Sequence, residues 1–132
     1  MDVERLKSLS LFSSLSEREL REVARVTDEV EVEAGRRLID QGRFAYEFFL
    51  IEDGMAAVTR DGDHIADLGP GDFFGELAIL ATDRRTATVT AKTPMRLVVM
   101  HRQGFLQIEQ SHPSVAAQLR DAVTVRLPPA TS

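Results

Sequence analysis

The chain has 132 residues, enough for one domain with one real hydrophobic core but not two. Its 43% apolar content and net charge of −5 describe a soluble globular protein, and 21 acidic residues against 16 scattered basic ones offer no basic face to nucleic acid. No apolar run approaches the roughly 18 residues of a membrane span, the N-terminus MDVERLKSL lacks the pattern of a signal peptide, and there is no cysteine for disulfide or thiolate chemistry, so a cytoplasmic protein is expected.

Residues 4–26 read as helical in two pieces. Leu6, Leu9, Leu11 and Phe12 suggest a short turn that lays apolar side chains onto the domain. Ser16-Glu17-Arg18-Glu19 is a capping box with Ser16 as N-cap, flanked by Leu15 and Leu20 as a hydrophobic staple. The helix it starts buries Leu20, Val23 and Ala24, with Val26 beyond them.

From Thr27 the hydrophobic period changes to two. Val30 and Val32 alternate with glutamates, Ala34-Gly35 turns the chain, and Arg37-Leu38-Ile39 begins a second strand. After the turn at Gln41-Gly42, Tyr46–Ile51 is the most apolar strand and is placed centrally. Glu52-Asp53-Gly54 and Asp61-Gly62 read as hairpin turns around the strands at 55–59 and 64–68. Glycines at 35, 42, 54, 62 and 69 separate short strands throughout, the spacing of a jelly roll or barrel.

A last strand covers Met95–Met100. Helices follow at 103–110, burying Phe105, Leu106 and Ile108, and from Pro113 to about Arg126, with Val115, Ala116, Leu119, Ala122 and Val123 on one stripe. The expected architecture is therefore mainly β, a jelly-roll β-roll with N-terminal helices and two C-terminal helices, forming one domain over 1–127 with a disordered tail at 128–132.

Chemistry concentrates in Gly71–Ala91, GDFFGELAILATDRRTATVTA. Gly75-Glu76 heads a short apolar run, Leu77-Ala78-Ile79-Leu80, whose first amides suit an anion approached through a residue without a side chain. A loop then leads to Arg85, and Thr86–Ala91 alternates hydroxyl and apolar like a half-buried strand. Taken alone, these residues fit equally a helix-capping glutamate and a solvated arginine turn.

Phe74-Gly75-Glu76-Leu77-Ala78, a spacer, then Arg85-Thr86-Ala87-Thr88-Val89 resembles the phosphate-binding cassette of the cyclic-nucleotide-binding domain family, which includes the catabolite activator protein and the regulatory subunits of cyclic-AMP-dependent protein kinase. Weaker similarities extend over residues 10–126. The resemblance implies a non-enzymatic sensor of cyclic AMP or cyclic GMP, with no metal. By the same resemblance Phe74, Gly75, Glu76, Leu77, Ala78, Arg85, Thr86 and Ala87 are expected to form the ligand site. Within it Glu76 takes the ribose 2′-hydroxyl, Arg85 grips the phosphate, and the amides of Leu77, Ala78 and Thr86 add donors. Arg84 competes with Arg85 for the phosphate role. Strict strand alternation would send Arg85 and Thr86 to opposite faces, so both meet one phosphate only if the strand begins irregularly or Thr86 acts through its main chain. Thr86 also leaves cyclic GMP open beside cyclic AMP. The last helix would cap the base, with Arg120, Val123, Thr124 and Leu127 as candidates, although Val123 and Leu127 also read as packing. Phe74 and Leu50 are candidate pocket walls, with core packing the favoured reading for Leu50.

Two other readings fit the same architecture. A metal-dependent jelly-roll enzyme would need converging histidines, and His64, His101 and His112 are isolated in the sequence. A domain that has lost its ligand could persist as a protein interaction module. The expected partners are the nucleotide and either a protein or a second copy of the chain, the latter met through the Val115–Leu119–Val123 stripe, which reads alternatively as cover for the roll. Neither nucleic acid nor a membrane is expected. Because related bacterial regulators carry a DNA-binding domain after the final helix, a chain ending at Ser132 is expected to be a stand-alone sensor or an excised domain.

Overall fold

Ser16 starts the first substantial helix as its sequence dictates. Its hydroxyl accepts from the Glu19 amide at 3.2 Å, and the Glu19 carboxylate accepts from the Ser16 amide at 2.8 Å, so two otherwise orphaned N–H groups are satisfied. The computed structural model describes residues 1–43, 46–76, 78 and 85–125. In order these form α1 (Val3–Lys7), a 3-10 turn (Ser10–Phe12), α2 (Glu17–Ala24), β1 (Thr27–Val32), β2 (Arg37–Ile39), β3 (Glu47–Asp53), β4 (Ala56–Arg60), β5 (Asp63–Leu68), β6 (Phe73–Phe74), β7 (Thr88–Ala91), β8 (Met95–His101), α3 (Arg102–Ser111) and α4 (Pro113–Val125). The expected tail at 128–132 and Leu127 lie outside the described residues.

The strands make two antiparallel sheets, ordered β1-β8-β3-β6 and β2-β7-β4-β5. The apolar strand β3 is interior, paired with β8 on one side and β6 on the other. Strand alternation divides its side chains between two hydrophobic clusters rather than the single core expected from length. Phe48 and Leu50, with Val98 and Met100 of β8, face a layer built from all four helices. Phe49 and Ile51, with Leu97 and Val99, face the second sheet and meet Ile39, Val58 and Val89 inside the roll. Leu50 is thus helix-side packing and not a pocket wall.

Local turn signals divide in the same way. Asp61 (φ 53°) and Gly62 (φ 85°) close a true β4–β5 hairpin. Glu52-Asp53-Gly54 does not make a hairpin, because β3 and β4 belong to different sheets and the chain turns a corner there. Gly54 is required at that corner, since it adopts φ +94° and a Cβ on it would lie 2.4 Å from the Pro94 carbonyl oxygen. Val30 shares a face with Val32 as alternation demands, yet it remains 37% exposed because that face opens on a 270 Å³ cavity at the mouth of the roll.

In the C-terminal helices Phe105 and Ile108 are buried while Leu106 is 40% exposed, having fallen on the outer face of α3. Val115, Leu119 and Val123 are buried against α1, α2, α3 and the 3-10 turn. That stripe is consumed within the chain and is not a dimer surface.

Candidate functional site

Arg85 is fixed through its main chain. Its amide donates to the Arg43 carbonyl at 2.6 Å and its carbonyl accepts from the Gly42 amide at 2.9 Å, so the 41–43 turn pairs with it as a short ladder. β7 begins only at Thr88, two residues later than the sequence alternation through Thr86 suggests, so strict alternation does not constrain Arg85 and Thr86. The Arg85 side chain is 5% exposed. Its Nη2 donates to the Glu47 carbonyl at 2.6 Å, whereas its buried Nη1 has no hydrogen-bond partner. Burial lowers the Arg85 pKa, and the nearby charges of Glu47 and Glu76 oppose that shift. A guanidinium remains a cation under such perturbation.

Glu76 approaches from the other sheet. It follows Gly75, whose φ of +78° favours glycine and whose missing Cβ matters equally: one built there would lie 2.5 Å from the Glu47 carbonyl oxygen and 2.8 Å from Arg85 Nη1. The backbone before the carboxylate thereby lies directly against the guanidinium. Glu76 is 2% exposed, and burial raises its pKa against the opposing effects of its own amide and the Arg85 charge. Its Oε2 is buried without a partner. Two opposite charges are therefore held out of water on adjoining segments, each with an unused polar atom. That is costly in a ligand-free fold unless something completes it.

The other anticipated residues have different fates. Phe74 is fully buried and stacks on Phe49 with centroids 4.8 Å apart, so it supports the site from the roll core without lining a pocket. Ala87 is likewise core. Thr86 is exposed, and its carbonyl accepts from Arg60 Nε at 3.1 Å. Ala78 is buried in the helix-side cluster, and its carbonyl accepts from Arg102 Nη1 at 3.1 Å. Leu77 and Arg84 lie outside the described residues.

A cavity of about 450 Å³ adjoins Arg85, walled by Leu38, Ile39, Asp40, Arg43, Tyr46 and Glu47; Glu76 is not part of that wall. Sequence reading missed Arg43, Tyr46 and Glu47. No motif marks them, and they become wall residues only because the 41–43 turn pairs with Arg85 and because β3 starts beside it. The helix candidates are occupied elsewhere. Arg120 pairs with Glu109 and sits 5.1 Å over the Phe105 ring, Thr124 Oγ1 donates to the Arg120 carbonyl, and Val123 is fully buried. His64, His101 and His112 stand on β5, at the end of β8 and between α3 and α4. Among the described residues no three potential metal-ligating side chains gather.

An antiparallel β-roll backed by helices thus brings a buried carboxylate and a buried guanidinium to adjoining segments. The family model described as "Cyclic nucleotide-binding domain" matches residues 29–112, and the chain belongs to that family. It is 36% identical over 105 residues to a cAMP-dependent protein kinase regulatory subunit of Yarrowia lipolytica, covering 78% of this chain and 28% of that protein. It is 32% identical over 119 residues to a cyclic nucleotide-gated potassium channel of Rhizobium etli, covering 90% of this chain and 33% of the channel. The chain thus spans about a third or less of these curated relatives. Among solved structures, a cyclic nucleotide-binding protein described as putative, from Geobacter metallireducens, shares the fold with a TM-score of 0.86 at 19% identity, over 95% of this chain and 94% of that one. The N-terminal domain of a transcriptional regulator from Streptomyces coelicolor has a TM-score of 0.76 at 29% identity, over 96% and 93%.

Proposed function

We propose that this domain is a non-enzymatic cytoplasmic sensor that binds a cyclic nucleotide monophosphate, cyclic AMP in preference to cyclic GMP, and signals through its C-terminal helices to a protein partner. The observation that carries the reading is the pair of orphaned buried atoms, Glu76 Oε2 and Arg85 Nη1. A cyclic nucleotide supplies what each lacks. The ribose 2′-hydroxyl donates to the carboxylate, and the exocyclic phosphate oxygens accept from the guanidinium, a charge-assisted bond worth roughly 1.5–3 kcal/mol net. The amides of Leu77 and Thr86 would add donors to the phosphate, while the Ala78 amide is already given to the Gly75 carbonyl at 3.0 Å. Relatives named as a cAMP-dependent kinase regulatory subunit and a cyclic nucleotide-gated channel support the ligand class, and the former supports cyclic AMP and a protein partner.

Signalling has a physical route. Arg102, the first residue of α3, donates its side chain to the Ala78 carbonyl and its amide to the Tyr46 carbonyl at 2.7 Å. Ala78 is itself packed in the cluster that holds α3 and α4. A cassette that closes on phosphate and ribose therefore pulls on the start of the output helices. The ligand drives the shift only by binding the two helix positions unequally.

Titration calorimetry with cyclic AMP and with cyclic GMP tests the reading. Saturable binding, tighter for cyclic AMP, is expected. No heat from either at high micromolar concentration would overturn it and leave the domain as a ligand-free interaction module.

A further inference from the structure

The walls of the Arg85 cavity do not all favour an anion. Among the described wall residues Arg43 and Arg85 stand against Asp40 and Glu47, so these two guanidinium groups are matched by carboxylates. Asp40 is drawn off by Arg37 Nη1 at 3.2 Å. Glu47 is placed differently. It begins β3, its carbonyl holds Arg85 Nη2, and the Glu47 side chain lines both this cavity and the one at the mouth of the roll. Strand alternation puts it on the same face as Phe49, toward the roll interior, across from His101 in the β3–β8 register. Its charge also acts directly on Arg85.

We propose that Glu47 is a specificity-determining residue that filters ligands by charge, admitting the single negative charge of a cyclic phosphodiester and rejecting the double charge of a linear nucleoside monophosphate. The inference rests on the cyclic nucleotide reading of the same site. Arg85 Nη1 can meet one phosphate charge at close range, but a second charge finds the Glu47 carboxylate, with Arg43 the other cation among the described wall residues. Coulomb repulsion scales with ligand charge, so the penalty Glu47 imposes on a dianion is twice, in free energy, that on a monoanion at the same place. A phosphate monoester carries between about −1.5 and −2 at neutral pH, and the full dianion above it. The device would suit a sensor that must ignore the ring-opened form of its own ligand, which presents the same base and ribose.

The test measures dissociation constants for 3′,5′-cyclic AMP and 5′-AMP at pH 8 in the wild type, Glu47→Gln and Glu47→Asp, with thermal melts to verify folding. Glu47→Gln is expected to tighten cyclic AMP about 3-fold and 5-AMP in its 5′-linear form about 10-fold, narrowing the discrimination between them about 3-fold. Glu47→Asp, which keeps the charge, should restore discrimination to near the wild-type ratio. Equal changes for both ligands in Glu47→Gln, or an unchanged ratio, would overturn the filter while leaving the sensor reading intact. Failure of the wild type to bind cyclic AMP would instead overturn that reading.

Discussion

The two faces of the β1-β8-β3-β6 sheet are built from one alternating pattern, yet they serve opposite ends. On the helical face Phe48, Leu50, Val98 and Met100 meet Phe105, Leu119 and Val123, and the packing is apolar and closed. On the roll face the same strands meet the second sheet, but beside that core sit Glu76 and Arg85, buried and each short of a partner. One face is saturated without a ligand and the other is not. A domain arranged this way keeps its stability and its binding energy largely in separate places, and substitutions should tell the two apart.

The largest effect is expected from Phe105→Ala. Phe105 is 1% exposed at the centre of the helical face, so its loss should cost about 3–5 kcal/mol in denaturant unfolding. Where the fold survives, ligand affinity should change far less than stability. Next comes Arg85→Gln, which should weaken cyclic AMP about ten- to a hundredfold by calorimetry while moving the melting temperature little. A large stability loss without loss of binding would reverse the assignment of the two faces. Ser16→Ala removes half of a capping box remote from Arg85 and should cost about 1 kcal/mol of stability with affinity unchanged.

The smallest effect is expected from Glu76→Gln in the ligand-free domain, and its sign is the informative part. Burial raises the Glu76 pKa above its ordinary value of about 4.5, so the ionised carboxylate destabilises the fold at neutral pH, and that cost vanishes as pH falls below the unfolded value. The Gln variant should melt slightly higher than the wild type at pH 7, with the advantage fading toward pH 4, and should bind cyclic AMP more weakly. A lower melting temperature at pH 7 would mean that the carboxylate is already satisfied.

Features decided within a few residues were legible in the sequence. The Ser16 cap, the Asp61-Gly62 hairpin and the core faces of α2 and α4 each follow from local chemistry, and the structure contains them. Glu76 and Arg85, singled out by a spaced motif, are both buried and lie on segments that adjoin in the fold. What escaped depends on contacts far along the chain. Gly54 carries the same turn signal as Gly62, and only the approach of Pro94 makes it a corner between sheets. Leu106 reads as core because its neighbours are, and Val30 lines a cavity together with residues of β2, β3 and β8, far along the chain. Glu47 carries no local mark at all. It matters because a guanidinium from residue 85 reaches its carbonyl.

The pairing of Gly42 and Arg43 with the main chain of Arg85 has a consequence for how this domain can vary in length. Surface turns ordinarily accept an added residue because nothing downstream depends on their register. Here one residue inserted between Ile39 and Gly42 would shift the ladder by a step and carry the guanidinium away from the Glu47 carbonyl, and an insertion at Asp61-Gly62 is felt there too, because the Asp61 amide and carboxylate bond to the Gln41 side chain and Arg60 donates to the Thr86 carbonyl. The two glycine turns are therefore coupled through Gln41 and Asp61, and a reporter meant to leave binding intact belongs in neither.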